Sequence, residues 1–358
     1  MSDLKINNIT DRTGGSGPVI AGVSTVSTTG SFVVPVGPTE MRGGRGRAVI
    51  AGGNTGTHPS TSNVNAIQYI TIATTGNATD FGDLSQTPSD PAGCASATRG
   101  LIMGGLTPSV TDKIESVIIS SKGGSSDYAD LSTGTWGACA VSDGTRAIVA
   151  GGRTPSLSIQ DAPTLSVMTI ATQAGPSKFG ELATKGTISQ NGLNVTKGAC
   201  ASPTRGIFLG GGSPRTANID FVNIASLGDG KEFGEAITPV SRITGLSNTT
   251  RGIFAGGYLD GSPASVHTDV IQYLTISTLG NTVDFGNLTQ ARYGIAGSAS
   301  ATRGVFMGGL IVTAPTYLRC NIIDYITISS TGNATDFGDL LVGQAIGSGF
   351  SDSHGGLG

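Results

Sequence analysis

The chain has 358 residues, of which 57 are glycine, 21 are Lys or Arg and 24 are Asp or Glu. Hydrophobic residues make up 37% of it, enough to bury a core, which argues against intrinsic disorder. The glycines follow no three-residue period, which excludes collagen, and a net charge of −3 with scattered Lys and Arg predicts no nucleic-acid footprint.

The sequence also lacks the features of a membrane or disulfide-rich protein. No apolar run approaches the ~20 residues of a membrane span, and the start, MSDLKINNIT, lacks the apolar core of a signal peptide. Four cysteines and three histidines are too few and too dispersed for a disulfide scaffold or a histidine-rich metal site. We therefore expect a soluble, β-rich protein without membrane insertion.

Residues 1–40 do not share the pattern of the rest of the chain. Two apolar stretches, PVIAGVSTVS (18–27) and GSFVVPV (30–36), are separated by a Thr-Thr-Gly turn and predict two strands. A segment of this length is too short to bury a core alone. We expect residues 1–40 to be an anchor that pairs with another chain, and residues 41–358 to form the main domain.

From residue 41 onward, a unit of roughly 50 residues recurs six times, which indicates a repeat protein. Each unit contains an arginine and a short apolar run that ends in Gly-Gly, such as RGVFMGG from Arg303. The run predicts a buried strand, and the glycine doublet predicts a tight turn with positive φ. The arginines are Arg47, Arg99, Arg146, Arg205, Arg251 and Arg303. The doublets are Gly52 and Gly53, Gly104 and Gly105, Gly151 and Gly152, Gly210 and Gly211, Gly256 and Gly257, and Gly308 and Gly309.

Two further segments follow each doublet. IDYITI (323–328) has the period-two alternation of a strand, and TDFGDL around Phe337 follows it after a turn containing Gly-Asn. In every unit the aromatic residue of the last segment lies about 12 residues beyond the middle of the preceding one, which predicts a hairpin of fixed length. We expect these aromatic residues to fill equivalent core positions: Phe81, Tyr128, Phe179, Phe233, Phe285 and Phe337.

A strand of small residues precedes each arginine, as in IAGSASAT before Arg303. Four short strands per unit without helical periodicity predict an all-β, six-bladed β-propeller with four strands per blade. A solenoid is the alternative, although solenoid repeats are usually shorter and more regular in length.

The ends of the repeated region predict how the ring closes. The first unit, from Arg47 to Leu84, has little room for an innermost strand, whereas residues 343–356 resemble an innermost strand without a following doublet. We expect the C-terminal strand to complete the first blade, which would remove two exposed sheet edges.

Two resemblances extend these predictions. ARYGIAGSASATRGVFMGG (291–309), with the IDYITI and DFG segments after it, resembles the Kelch repeat over roughly residues 40–358. This resemblance implies a Kelch-like propeller, with Phe or Tyr where the Kelch family has Trp.

The second resemblance concerns the start of the chain. KINNITDRTGGSGPVIAG and TGSFVVPVGPTEMRGGRGR are similar to the N-terminal regions of tail-fibre and other virion proteins of tailed phages, especially phages of marine cyanobacteria. This similarity implies a virion protein assembled in the host cytoplasm. Its residues 1–40 would bind other virion proteins or copies of the chain.

Several acidic residues and cysteines are candidates for metal binding, but a structural explanation is simpler. The acids beside the aromatic residues form no calcium-loop pattern, because Lys178 and Asn287 interrupt it. Cys94, Cys139 and Cys200 occupy one position of the innermost strand in three successive units, which predicts packing as small hydrophobic side chains. The acids, expected to be solvated, are Asp80, Asp83, Asp127, Asp130, Asp284, Asp336 and Asp339.

The remaining candidates are also consistent with structural roles. His58, His267 and His354 show no metal-binding spacing. Trp136 would suit a sugar site but is expected on a packed or half-exposed innermost strand. Asn77 and Asn333 begin N-A-T sequons and are expected in turns. The six arginines would suit an anion site, but a residue recurring in every unit favours hydrogen bonds that tie neighbouring blades together.

The sequence thus predicts a protein with no catalytic residues, no cofactor and no metal. We expect a structural and binding protein of the virion, a tail fibre, appendage or capsid decoration, whose propeller loops contact a host-surface glycan or receptor. A lectin-like propeller is the alternative. A carbohydrate-active enzyme would need carboxylates clustered at the channel mouth, where loops from separate units converge.

Overall fold

The computed structural model describes residues 46–155, 164–183, 198–212, 215–259, 266–313 and 316–357. The predicted anchor, residues 1–40, lies outside these ranges. Within them the regular structure is β, apart from one 3-10 turn at Gly355–Leu357. No helix in the described ranges is long and apolar enough to cross a membrane.

Each repeat unit forms a four-stranded antiparallel sheet, and the described residues contain six of these repeat sheets. We number the sheets 1 to 6 and give their strands from first (innermost) to fourth. Sheet 1 contains Ser348–Ser351, Arg47–Ala51, Ala66–Thr71 and Thr79–Asp83. Sheet 2 contains Ala92–Ala95, Arg99–Met103, Lys113–Ile118 and Ser126–Asp130. Sheet 3 contains Cys139–Ser142, Arg146–Ala150, Thr164–Thr169 and Ser177–Glu181. Sheet 4 contains Gly198–Ala201, Arg205–Leu209, Asn218–Asn223 and Lys231–Glu235. Sheet 5 contains Thr244–Ser247, Arg251–Ala255, Val270–Thr275 and Val283–Asn287. Sheet 6 contains Ala296–Ala299, Arg303–Met307, Ile322–Thr327 and Thr335–Asp339.

Burial falls from the inner to the outer strands. In Arg251–Ala255, every residue after the arginine is buried, because the strand has neighbours on both edges and side chains packed on both faces. In the fourth strand, Val283–Asn287, Phe285 is buried while its neighbours face solvent or are half-buried. A β-bulge lies between the third and fourth strands of every repeat sheet.

The C-terminal strand completes sheet 1, as the sequence predicts. Ser348–Ser351 pairs antiparallel with Arg47–Ala51. Asp352 Oδ1 accepts hydrogen bonds from the backbone N–H groups of Gly46 and Arg47 at 2.8 and 3.0 Å. Asp143 Oδ1 makes the same kind of bond to Arg146 N inside sheet 3, where the chain is continuous. Asp352 therefore caps the junction of the first two strands of sheet 1 as Asp143 caps the hairpin of sheet 3, although the two strands of sheet 1 come from distant parts of the chain.

The first strands contact one another in the cyclic order 1-2-3-4-5-6-1 and enclose a central channel. Six hydrophobic clusters among the described residues each join two sheets that are neighbours in this order. The six predicted core aromatic residues all lie in these clusters, and each is at most 4% exposed. The architecture is therefore all-β and propeller-like.

Tyr128 stands in sheet 2 where the other repeat sheets have phenylalanine, and its buried hydroxyl is satisfied by hydrogen bonds to the next sheet. At the other described junctions, a turn N–H of the next sheet donates to the carbonyl of the aromatic residue, as from Gly332 to Phe285 at 2.8 Å. The Tyr128 hydroxyl instead reaches carbonyl oxygens of sheet 3, with Ile170 at 2.9 Å. The side chain thereby links sheets 2 and 3.

The glycine doublets mark one end of each sheet, here called the glycine-doublet end. Gly52 and Gly53 have φ values of 66° and 91°, and a Cβ on Gly52 would lie 2.7 Å from the Pro88 carbonyl oxygen. Gly53 N–H donates to that same oxygen at 2.7 Å. The turn therefore needs both the left-handed conformation and the absence of a side chain.

Hairpins after four of the doublets were not predicted, because their strands are short and their sequences differ from unit to unit. Two of them join into one four-stranded sheet beside the contact of sheets 6 and 1, where His58 N–H donates to the Tyr317 carbonyl at 3.1 Å. The strand pairs of the described residues are Asn54–Thr57 with Ser60–Asn63, Leu106–Thr107 with Ser109–Val110, Tyr258–Leu259 with Val266–His267, and Leu310–Thr313 with Thr316–Arg319.

Candidate functional site at the glycine-doublet end of the channel

Small residues line the channel along the first strands. The second residue of each strand is glycine or alanine and is half-buried, and a cavity of about 60 Å³ lies among the six strands. The channel is too narrow for a drug-sized ligand, whose pocket is typically ~300 Å³ or more. A ligand site is therefore expected at the channel's ends. The lining residues at the second position are Gly93, Ala140, Ala199, Gly245, Gly297 and Gly349.

The third residue of the first strand alternates in size from sheet to sheet. Cys94, Cys200 and Ser298 in sheets 2, 4 and 6 alternate with Val141, Leu246 and Phe350 in sheets 3, 5 and 1. The last residue of the second strand alternates in the opposite sense. It is large in the even-numbered sheets (Met103, Leu209 and Met307) and alanine in the odd-numbered ones (Ala51, Ala150 and Ala255).

This register corrects one prediction from the sequence. Cys139 pairs with Ala150, two residues before the position that Cys94 and Cys200 share, and Val141 occupies that position in sheet 3. The interval from cysteine to arginine is longer in sheet 3, which shifts Cys139 along the strand. All four cysteines are buried and none forms a disulfide. Burial raises the pKa of Cys94 to about 12, although the hydrogen bond with Ser142 opposes the shift, so packing accounts for this thiol.

The C-terminus closes the end of the channel opposite the doublets. His354 Nε2 lies 2.7 Å from the Ala95 carbonyl oxygen, and Gly356 N–H donates to Nδ1 at 3.1 Å. Both bonds are satisfied by a neutral imidazole that carries its proton on Nε2. Burial lowers the pKa of His354, and this effect outweighs the hydrogen bond to Ala95 and the charge of Asp143, which both raise it.

We name residues 353–357 the C-terminal plug, and we expect its packing against the channel end to weaken in acid. Because the folded-state pKa of His354 lies below its unfolded value of about 6.5, the unfolded chain binds the proton first, and stability is lost as the pH falls from about 6.5 toward the folded-state pKa. Melting temperatures of the wild type and His354→Gln, compared from about pH 7.5 to about pH 5, should converge or cross on acidification, since only the wild type carries this group. Parallel pH profiles would contradict the assignment.

At the glycine-doublet end, loops between consecutive sheets narrow the channel mouth. One residue in each described loop has a left-handed backbone: Asp90, Arg242 and Ile346 at φ 57°, 53° and 50°, and Gly137 and Gly294. Backbone N–H groups link these residues around the mouth, as from Ile346 to Gly294 at 2.7 Å and from Asp90 to Ile346 at 2.9 Å. A left-handed conformation in three non-glycine residues is costly, and such strain concentrates at functional sites.

The side chains of Asp90 and Arg242 meet across this mouth. Asp90 precedes sheet 2 and Arg242 precedes sheet 5, on opposite sides of the channel, yet Oδ2 and Nη2 lie 3.8 Å apart. Both side chains are largely buried, with 8% and 15% of their surface exposed. The pair therefore fixes two strained loops and places one charge of each sign at the mouth.

Beside this pair lies a group of aromatic rings and guanidinium groups. The Arg215 guanidinium is 4.4 Å from the Tyr258 ring centroid, the Tyr258 and Tyr293 rings are 5.1 Å apart, and Arg242 is 5.9 Å from the Tyr293 ring. Burial raises the pKa of Tyr293, while the nearby charges of Arg242 and Arg319 lower it and Tyr258 and Tyr317 raise it. We name Arg215, Arg242, Tyr258, Tyr293, Tyr317 and Arg319 the tyrosine–arginine patch.

A smaller pair of the same kind lies at the same end, next to sheet 3. Trp136 pairs with Arg153 in an isolated β-bridge, and the guanidinium lies 5.5 Å from the indole ring. Trp136 is half-buried and precedes the first strand, so the prediction that it lies on that strand is wrong. Trp136 lies instead in the loop before that strand, at the channel mouth.

The six repeat arginines lie at the opposite end of the sheets and do not surround a common ligand site. Each Nη1 donates to a backbone carbonyl of the next sheet at 2.7–3.1 Å, so the bonds follow the cyclic order of the sheets. In four sheets the guanidinium also stacks on the aromatic residue of the third strand, as Arg303 does on Tyr325 at 4.5 Å. The acceptors are Ile119, Ile170, Ile224, Ile276, Ile328 and Ile72.

The other sequence candidates lie apart from the mouth. The seven acids beside the core aromatic residues are exposed, and Lys113 pairs with Asp127 and Asp130 at 3.6 and 3.3 Å. Asn77 and Asn333 lie in turns and accept backbone hydrogen bonds from Asp339 and Asn287. Across the described ranges, no three His, Cys, Asp or Glu side chains are grouped closely enough to hold a metal ion.

A set of buried polar side chains on the third strands also escaped prediction. In sheet 6, Asp324 pairs with Arg292 at 3.0 Å, and both side chains are fully buried. Asp324 also accepts bonds from the backbone and hydroxyl of Thr289. Gln272 accepts a bond from Ile237 N–H across the preceding junction in the same way. The recurring polar residue inside IDY and IQY was the signal that could have revealed these links.

The sequence matches no protein-family model. A search of curated proteins gives no significant match. The geometry of the described residues therefore carries the functional interpretation.

Proposed function

We propose that the chain is a non-enzymatic virion protein of a tailed phage, with a six-bladed, Kelch-like propeller as its outer binding module. Residues 1–40 would attach it to the particle as part of a tail fibre, appendage or capsid decoration. The observation that carries the proposal is the cyclic set of links between sheets, made by six arginines and completed by the C-terminal strand. Such links suit a rigid module that holds its binding loops in place.

The two ends of the channel support a binding role. The C-terminus fills one end, where His354 bonds to Ala95, while the glycine-doublet end carries the hairpins, the strained loops and the tyrosine–arginine patch. Binding residues are commonly placed on loops that a rigid scaffold holds. Attachment through residues 1–40 would leave the loop end free for a host-surface partner.

A lectin-like propeller is the second candidate, and the tyrosine–arginine patch favours it. Half-buried tyrosines offer both a ring face and a hydroxyl, as ligand sites that combine apolar and polar contacts require. This candidate overlaps with the first if the virion protein is the one that contacts the host. Glycosidase activity in purified protein would instead favour a carbohydrate-active enzyme.

Removal of the proposed anchor tests the attachment. We expect a chain that begins at Met41 to melt like the full chain, because the links between sheets lie beyond it, yet to be missing from purified particles in a reconstitution assay. The full chain, added at the same concentration, is the control. Normal incorporation of the shortened chain would move the attachment surface to the propeller.

A further inference from the structure

The tyrosine–arginine patch concentrates positive charge at the mouth of a chain whose net charge is −3. Arg215, Arg242 and Arg319 lie around Tyr258 and Tyr293, and Asp90 pairs with Arg242. Each guanidinium has five N–H donors in a plane and can bind a carboxylate through two parallel hydrogen bonds. The patch thus combines groups for an anion with aromatic rings that stack on an apolar surface.

We infer that this patch binds a saccharide that carries carboxylate groups, an inference that rests on the proposed binding function of this end. A pyranose ring presents C–H groups on its faces, which suit stacking on Tyr258 and Tyr293, and its hydroxyls suit the phenol and guanidinium groups. A carboxylate on the sugar would bind the arginines. Hydrogen bonds between the mouth loops hold Arg242 in place before the ligand arrives, which lowers the entropic cost of binding.

The backbone beside the patch favours a saccharide over an acidic peptide. Peptides are commonly captured on an open strand edge, through main-chain hydrogen bonds. Here Tyr258 exchanges two backbone bonds with Ser241 at 2.8 and 3.1 Å, and Tyr293 exchanges two with Leu310 at 2.8 and 3.2 Å. These main-chain groups are already paired, so the patch presents side chains and not a strand edge. Arg215 Nε donates to Ser241 Oγ at 3.1 Å and Arg319 Nε to Asn54 Oδ1 at 2.9 Å, which hold two of the guanidinium groups in position.

Calorimetric titration of the full chain with a short oligogalacturonate tests the inference. Two matched probes are a neutral galactose oligomer and an oligoglutamate of similar length. We expect oligogalacturonate to bind at least about tenfold more tightly than either probe, and its affinity to fall with added salt because charge pairs are screened. Equal or tighter binding of oligoglutamate, or no binding of oligogalacturonate, would overturn the inference.

Substitutions locate the site. We expect Arg215→Gln and Tyr258→Leu each to weaken oligogalacturonate binding about tenfold while the melting temperature stays within about 2 °C of the wild type. Lys178→Gln is the control, because Lys178 is exposed and pairs with Glu181 on an outer strand, away from the mouth. If all three variants bind like the wild type, the patch is not the site. Loss of binding with normal particle incorporation would affect this inference alone, whereas absence of the full chain from particles would refute the proposed function.

Discussion

A chain that ends at Val342 is expected to lose its folded state or to melt far below the full chain. It lacks the first strand of sheet 1, so Arg47–Ala51 would present an unpaired edge. It also lacks Phe350, which is 4% exposed and packs between sheets 1 and 2, and truncation of a buried phenylalanine alone costs about 3–5 kcal/mol. Thermal melting followed by circular dichroism measures the effect.

A second truncation distinguishes the contribution of the C-terminal strand to stability from that of the C-terminal plug. A chain that ends at Asp352 keeps the strand and the bonds to Gly46 and Arg47 but removes His354 and the 3-10 turn. We expect it to fold and to lose much less stability than the chain ending at Val342. If the chain ending at Val342 melts within about 2 °C of the full chain, the prediction that the C-terminal strand closes sheet 1 is wrong.

Phe285→Ala is expected to lower the free energy of unfolding by about 3–5 kcal/mol. Phe285 is 3% exposed and packs in the cluster that joins sheets 5 and 6, where its ring meets Tyr273 edge-on with centroids 5.8 Å apart. The alanine would leave a cavity between two sheets that the remaining side chains cannot fill without moving. Chemical denaturation gives the change from the midpoint and slope.

Val283→Ala, on the same strand, is the matched control. Val283 is 55% exposed, and we expect the substitution to change stability by no more than about 0.5 kcal/mol. A loss below about 1 kcal/mol for Phe285→Ala would mean that the aromatic residues of the fourth strands do not form the core.

Much of the fold could be predicted because each unit repeats the same local chemistry. The run after Arg303 is buried and includes a β-branched and an aromatic residue. Gly308 and Gly309 turn with φ of 63° and 116°, and Phe337 is buried on a strand whose other residues are not. Six copies made each signal visible against sequence variation. Pairing of the C-terminal strand followed from counting strands at the two ends.

The candidate site was much harder to predict, because its residues converge from different units. Arg215, Tyr258 and Tyr293 come from three separate segments of the chain, and the residue types at their positions vary from unit to unit. Their proximity depends on isolated bridges, such as Ser241 with Tyr258, which recur beside the glycine doublets of the described residues but whose two partners show no strand pattern in the sequence. The position of Cys139 was wrong for a related reason: the register of a strand depends on its partner.

The size alternation at the channel restricts how this protein can gain or lose units. The bulky Phe350 is accommodated because Gly100 of the next sheet has no side chain; a Cβ there would lie 2.2 Å from the ring. Leu246 has the same relation to Gly304, and Val141 to Gly206. An alternating pattern closes on itself only in a ring with an even number of units. Deleting or duplicating one unit would place two bulky or two small residues on neighbouring first strands. We therefore expect the gain or loss of a pair of units to disturb this packing less than the gain or loss of a single unit.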